Sequence, residues 1–196
     1  MFLAVPAIAS DSISQKIQAV YRETETFSAD FKQTVTIPMM EKVIQKSGHL
    51  VLAKPGKFFI QYRQPEKKEY ISDGKTLWIY RPDDKEVEVY DSLGEQVAQE
   101  GLSFLGGLAD LEKEFLVISQ KQVADGYELI LRPRQKTTFE KIILQVDASD
   151  FLVRAMTFFP EGGNKSRTVF SNFRRNGEEK QNFKFKVPYG VRKLHP

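Results

Sequence analysis

Between Lys54 and Tyr90 the chain reads KPGKFFIQYRQPEKKEYISDGKTLWIYRPDDKEVEVY, four short apolar runs separated by tight-turn signals and free of helical spacing. Such a stretch has few ways to fold other than as an antiparallel meander. Asp73-Gly74 predicts a two-residue turn that needs a positive φ, and Pro82-Asp83-Asp84-Lys85 predicts a type I turn, so each flanking pair of runs is expected to form a hairpin. Phe58, Ile60 and Tyr62 fall on one face, as do Leu77 and Ile79, while Val87 and Val89 alternate with Glu86 and Glu88. One face is therefore oily and rich in rings, and a sheet with such a face must find a layer to cover it.

The segments on either side say what that layer could be. Upstream, Ile13, Ile17, Val20 and Tyr21 have helical spacing, with Ser12 and Gln15 placed as a capping box, which predicts an amphipathic helix of about four turns. FSADFKQTVTIP follows at once. Phe27, Ala29, Phe31, Val35 and Ile37 mark one face of a strand interrupted only by Gln33, Pro38 ends it, and KVIQKSGHLVLA returns as its partner. Downstream of Tyr90 the alternation stops for some 25 residues, where Val97, Leu102, Phe104, Leu105, Leu108, Leu111 and Phe115 fit a helical period broken by Gly101, Gly106 and Gly107. Two short helices with a glycine joint are expected there, either a packed crossover or a lid. Strands then resume through FLVISQKQV, YELILRPR, FEKIILQVD, FLVRAMTFFP, RTVFSNF and the closing FKFKVPYGV, with turns at Asp125-Gly126, Glu161-Gly162-Gly163-Asn164 and Asn176-Gly177. The total is about ten or eleven strands, more than a flat open sheet sustains, so the sheet is expected to curl into a barrel or half-barrel.

Length and charge narrow the function. A chain of 196 residues supports one substantial core. Met1 to Ala9, MFLAVPAIA, is apolar and ends in the small-x-small pattern of a signal-peptidase site, so residues 1–9 are expected to be the remnant of a signal peptide and 10–196 a single exported domain. The net charge of +3, from 29 basic and 26 acidic residues, is too balanced for a nucleic-acid footprint over the whole chain. In FKFKVPYG the rings of Phe183 and Phe185 point away from Lys184 and Lys186, so these are not expected to stack on bases. With no cysteine and only His49 and His195, thiolate chemistry, cysteine-based metal sites and histidine-centred catalysis have almost no material, and the carboxylate pairs Asp83-Asp84 and Glu178-Glu179 sit in polar turns. No enzyme activity, metal or cofactor is expected. The surplus of 15 Phe, 7 Tyr and 1 Trp remains, either as core filling or as the lining of an apolar ligand cavity.

FSADFKQTV after a leading helix, SGHLVLAKPGKFFIQYRQP, YISDGKTLWIYRPDDKEVEVY and the terminal FKFKVPYGV together resemble the periplasmic outer-membrane lipoprotein carrier (LolA) family over nearly the whole chain, KPGKF and SDGKTLWIY being the most specific parts. The resemblance implies an incomplete antiparallel β-barrel closed by an N-terminal helix and two mid-chain helices acting as a lid, in a monomer that works in the periplasm. It implies acylated lipoproteins as cargo, received from an inner-membrane ABC-type lipoprotein-releasing complex and passed to an outer-membrane lipoprotein receptor. The expected acyl-chain wall is Phe31, Leu52, Phe58, Ile60, Trp78 and Tyr80. Ile17 and Tyr21 are expected to join it from the first helix, and Leu102, Phe104 and Leu105 from the lid. Lys54 stands where some members have an arginine that latches the lid. Lysine lacks the planar fork, so the latch is expected to be weaker or to use other partners. Gly101 stands where others often carry proline, loosening the lid entry. An outer-membrane acceptor of the same fold would need a lipidated cysteine. A lipid-sensing or envelope-stress regulatory half-barrel without carrier activity is the alternative.

Overall fold

The computed structural model describes residues 12–91, 110–137, 139–160, 162–177 and 181–196. The expected signal-peptide remnant at 1–9 and most of the expected lid, including Leu102, Phe104 and Leu105, lie outside the described residues.

The chain begins with helix α1 (Ile13–Arg22), capped as the sequence predicts. Ser12 Oγ accepts the Gln15 amide at 3.2 Å and the Gln15 side chain accepts the Ser12 amide at 2.9 Å. The helix is ten residues long, just under three turns rather than four. Thr24 shortens it by donating its hydroxyl to the Val20 carbonyl at 2.7 Å, after which the chain turns into the sheet. Strands follow as β1 (Thr26–Ile37), β2 (Lys42–Ala53), β3 (Lys57–Gln64), β4 (Lys68–Asp73), β5 (Leu77–Arg81) and β6 (Glu86–Tyr90). After the short helix α2 (Leu111–Glu114) come β7 (Phe115–Val123), β8 (Gly126–Pro133), β9 (Phe139–Asp147), β10 (Val153–Pro160), β11 (Lys165–Arg175) and β12 (Arg192–Leu194).

Among the described residues these strands form one unclosed sheet of twelve, in the order β12-β6-β5-β4-β3-β2-β1-β11-β10-β9-β8-β7. Two antiparallel meanders, β1 to β6 and β7 to β11, are joined where β1 pairs with β11, so the first and last long strands meet in the middle. Twelve strands exceed the expected ten or eleven, and the last of them is not the one expected. Residues 181–190 do not form the closing strand that FKFKVPYGV suggests. They run extended outside the ladders, turn at Gly190 (φ 79°), and only then does β12 pair parallel with β6, Arg192 opposite Glu86. The rings are the cause. Phe185 packs on Trp78 and Tyr80, with centroids 6.5 and 5.1 Å apart, which holds this segment on the sheet's outer face instead of at its edge.

The helix-bearing inner face carries the main core. Ile17 and Tyr21 of α1 enter a single cluster with Phe27, Ala29 and Phe31 of β1, Leu50 of β2 and Ile60 of β3. Leu129 and Leu131 of β8, Ile142 and Leu144 of β9, and Phe170 of β11 complete it from the second meander. Gly48 is required where this wall is tightest, because a Cβ there would lie 2.0 Å from the Gln61 carbonyl oxygen and 2.6 Å from the Phe31 ring. The Phe31 ring occupies that space and meets Tyr62 edge-on at 5.1 Å. A bulge in β11, with Asn172 at φ 55°, resets the alternation. Thr168 and Phe170 point inward before it and Phe173 after it, so Phe173 reaches Phe27 at 5.8 Å.

Candidate functional site: the inner face of the sheet

Register fixes which side chains share the inner face. Leu52 of β2 stands opposite Phe58, Phe58 opposite Ser72, Ser72 opposite Leu77 and Leu77 opposite Tyr90. One step along, Leu50, Ile60, Tyr70, Ile79 and Glu88 form the next cross-strand row. Of the side chains expected to line a cavity, Ile17, Tyr21, Phe31, Phe58 and Ile60 are buried in this face and Leu52 is half-buried against it.

Trp78 and Tyr80 are corrections. They lie on the outer face, Trp78 opposite Val89 and Tyr80 opposite Val87, and share their ring contacts with Phe185. The reason is parity. Four residues, 73–76, separate the paired Ser72 and Leu77, with Asp73 accepting the amides of Lys75 and Thr76. With Phe58 and Ile60 inward, Leu77 and Ile79 must be inward too.

The row ends in polar groups. Arg81, Glu88 and Tyr90 meet on the inner face, with Arg81 bonded to Glu88 and the Tyr90 hydroxyl donating to Glu88 Oε2 at 2.8 Å. Burial pushes the Glu88 carboxyl up, but the bonds from Arg81 and Tyr90 outweigh it and hold the group below the usual carboxylate range. Arg81 Nη1 is buried with no hydrogen-bond partner among the described residues. Sequence reading missed this cluster. Its signal was the charge of Arg81 and Glu88 at the same parity as Leu77 and Ile79.

Helix α1 is pinned at both ends. Ser14 and Gln18 are buried polar residues on its apolar stripe. The Ser14 hydroxyl donates to Glu112 of α2 at 2.6 Å, and the Gln18 side-chain oxygen accepts the Glu112 amide at 3.2 Å, so α2, which leads into the second meander, is tied to α1. At the other end the Tyr21 hydroxyl accepts the Val153 amide at 3.3 Å, and burial pushes its pKa up. Lys54, the residue expected to latch a lid, donates its ammonium to the carbonyl of Arg22 at the C-terminus of α1 and lies 3.8 Å from Glu25. A cation there satisfies a carbonyl that the helix leaves unpaired.

A separate polar cavity of about 410 Å³ opens on the outer face, lined by Ser28, Asp30, His49, Asn172, Phe173 and Arg174. Asp30 is held below the usual carboxylate range by hydrogen bonds from Asn172 at 2.8 Å and His49 at 2.9 Å. His49 is thus a strand histidine with a carboxylate partner. Among the described residues no group of histidine and acidic side chains could hold a metal ion.

Comparison with known proteins agrees with this architecture. Residues 22–186 match the family model described as outer membrane lipoprotein carrier protein LolA. An outer-membrane lipoprotein carrier protein from Chromobacterium violaceum is 33% identical, covering 96% of this chain and 89% of its own, and one from Methylobacillus flagellatus is 27% identical over 96% and 92%. Among solved structures, an uncharacterized conserved protein from Thermus thermophilus superposes with a TM-score of 0.60 over 94% of this chain and 97% of its own. At 12% identity that likeness shows the fold alone.

Proposed function

The chain belongs to the LolA family of outer-membrane lipoprotein carrier proteins, and from that premise we propose that the helix-bearing face of its sheet is the wall against which a lipoprotein's acyl chains are held. The family is periplasmic and non-enzymatic, and its cargo is lipoprotein. A carrier is required because each methylene left in water costs about 0.8 kcal/mol, a sum on the order of 10 kcal/mol for one long chain.

The observation that carries the proposal is the inner face itself. Two cross-strand apolar rows run under a helix that is bonded to its surroundings through a few polar contacts at its two ends. In this reading Ile17, Tyr21, Phe31, Leu52, Phe58 and Ile60 form the fixed wall, and Leu102, Phe104 and Leu105 close over it. Lys54 is a latch of a different kind from the arginine it replaces, acting on the end of α1. The protein is a monomer whose single domain over 10–196 follows a signal-peptide remnant. It takes cargo from an inner-membrane ABC-type releasing complex and yields it to an outer-membrane receptor.

The test is capture of cargo from the cell envelope. Tagged protein is expected to recover acylated lipoproteins and keep them soluble, and Phe104→Glu to abolish both. Recovery of no lipoprotein by a bait that unfolds cooperatively would overturn the reading.

A further inference from the structure

We propose that the tip of the β1–β2 hairpin is a membrane-contact finger that seats Met39 and Met40 in the interface of a bilayer bearing anionic headgroups. Met39 is 90% exposed, Met40 68% and Val43 59%, a concentration of bare apolar surface with no counterpart in the other hairpin turns among the described residues. The tip is built, not frayed. β1 and β2 stay paired through Ile37 opposite Lys42, Pro38 opens a single 3-10 turn, and Glu41, at φ 49°, closes it by donating its amide to the Pro38 carbonyl at 3.0 Å.

The tip also stands clear of its neighbours. β3 leaves β2 at Ser47, so, among the described residues, 42–46 pair with β1 alone, and β11 first meets β1 at Thr36 opposite Lys165. Towards this end of the hairpin Val35, Ile37 and Ile44 have the same parity as Phe31, so the apolar inner face continues past Gln33 towards the methionines. Lys42 and Lys165 flank the tip and Lys46 lies over the Tyr62 ring at 5.1 Å, while Glu41 is the acid of the turn itself.

This pattern selects a bilayer over a protein groove. The tip is convex and small, its two apolar side chains are unbranched and adaptable, and its cations stand where an interfacial headgroup layer would lie when the methionines are immersed. One finger with two anchors gives contact that is weak and reversible, which suits a protein that must leave each membrane it visits. The inference deepens the carrier reading by naming how the inner face reaches a membrane.

The test uses full-length, cargo-free protein and vesicles of phosphatidylethanolamine with phosphatidylglycerol, read by flotation, so its failure is distinguishable from failure to bind cargo. Wild type is expected to float with these vesicles, less so as salt rises and less so with phosphatidylcholine alone. Met39→Asp with Met40→Asp is expected to weaken partition at least about tenfold with an unchanged melting temperature and unchanged cargo capture. Met39→Leu with Met40→Leu is expected to retain it. Wild type that stays with the soluble fraction, or a double aspartate variant that floats as well as wild type, would overturn the proposal. So would a tip that proves necessary for transfer to a purified receptor while vesicle binding is unaffected, since it would then be a protein contact.

Discussion

One sheet here carries two apolar layers, and they are covered in different ways. The inner layer, with Leu50, Leu77, Leu129, Ile142 and Leu144 fully buried, lies under a capped helix tied down by Ser14, Gln18, Tyr21 and Lys54. The outer layer is a second cross-strand row, Val51, Phe59, Ile71, Trp78 and Val89, built from the alternate residues of the same strands. Val51 and Ile71 of this row are each only 2% exposed, while Phe59 and Trp78 are half-buried. Its visible cover is the C-terminal segment, held by Phe185 on Trp78 and Tyr80 and by three residues of β12. Burial alone does not set how firmly a layer is held. A helix that satisfies its own backbone can be lifted as a unit, whereas an extended segment outside the ladders must peel residue by residue.

The inner layer should therefore yield the largest single-site effects on stability. Leu50→Ala empties a site with no exposure in the middle of the inner rows and is expected to cost about 2–5 kcal/mol in urea unfolding. Gly48→Ala should fall in the same range, because the added Cβ meets the Gln61 backbone oxygen, which cannot rotate away. If Gly48→Ala were neutral, the close approach of Phe31 to β2 would not be a constraint on the wall.

Next in size is the outer cover. Phe185→Ala removes the ring that bridges Trp78 and Tyr80, and is expected to cost about 1–2 kcal/mol, less than the inner substitutions because Phe185 is only half-buried. Hydrogen exchange should show β6 amides losing protection while those of β2 and β3 keep theirs. Equal loss in both would mean the two layers unfold together and the comparison fails.

The sequence showed the meander, the capped helix and the existence of two faces, because alternation and turn residues act locally. It could not show what covers the outer face. FKFKVPYGV has a strand's alternation and does place Phe185 towards the sheet with Lys184 and Lys186 exposed, but whether such a segment joins an edge or crosses a face depends on rings more than 90 residues away. Trp78 and Tyr80 could have been assigned outward from parity alone, given Phe58 inward and an even number of residues between the paired Ser72 and Leu77. The β1–β11 pairing that joins the two meanders rests on strands about 130 residues apart, and the bulge at Asn172 leaves no local signature that alternation would reveal.

Smaller again is an acid effect confined to the turn beside α1. Hydrogen bonds from the Ser149 hydroxyl and amide, with Arg154 adding to them, lower the Asp147 carboxyl from 3.8 to about 2. A carboxylate depressed in the folded state stabilises it above the ordinary value, and that contribution is lost as pH falls from about 4 through about 2. Asp147→Asn is expected to flatten the slope of stability against pH in that window and leave the slope unchanged at pH 7 to 8. A slope that survives the substitution would assign acid sensitivity to other groups, Asp30 and its bonds to Asn172 and His49 first among them.

Lys54 should give the smallest effect on stability and the most informative one on transfer. Its ammonium is partly exposed and its bond to the Arg22 carbonyl is one charge at one helix end, so Lys54→Ala is expected to cost no more than about 1 kcal/mol. Arg175 also reaches the C-terminal carbonyls of α1, donating to Val20 at 3.4 Å, so the helix end keeps a cation when Lys54 is removed. If Lys54 only caps a helix, cargo release should follow stability and hardly change. If it holds α1 against the inner face, release to a receptor should accelerate several-fold in Lys54→Ala at nearly constant unfolding free energy, with Lys54→Arg restoring the slower rate through its forked donors. The readout is the half-time of transfer of a fluorescent acylated peptide set beside urea midpoints for the three proteins. The inner layer acts as a separable, movable unit only if the rates spread while the midpoints stay together.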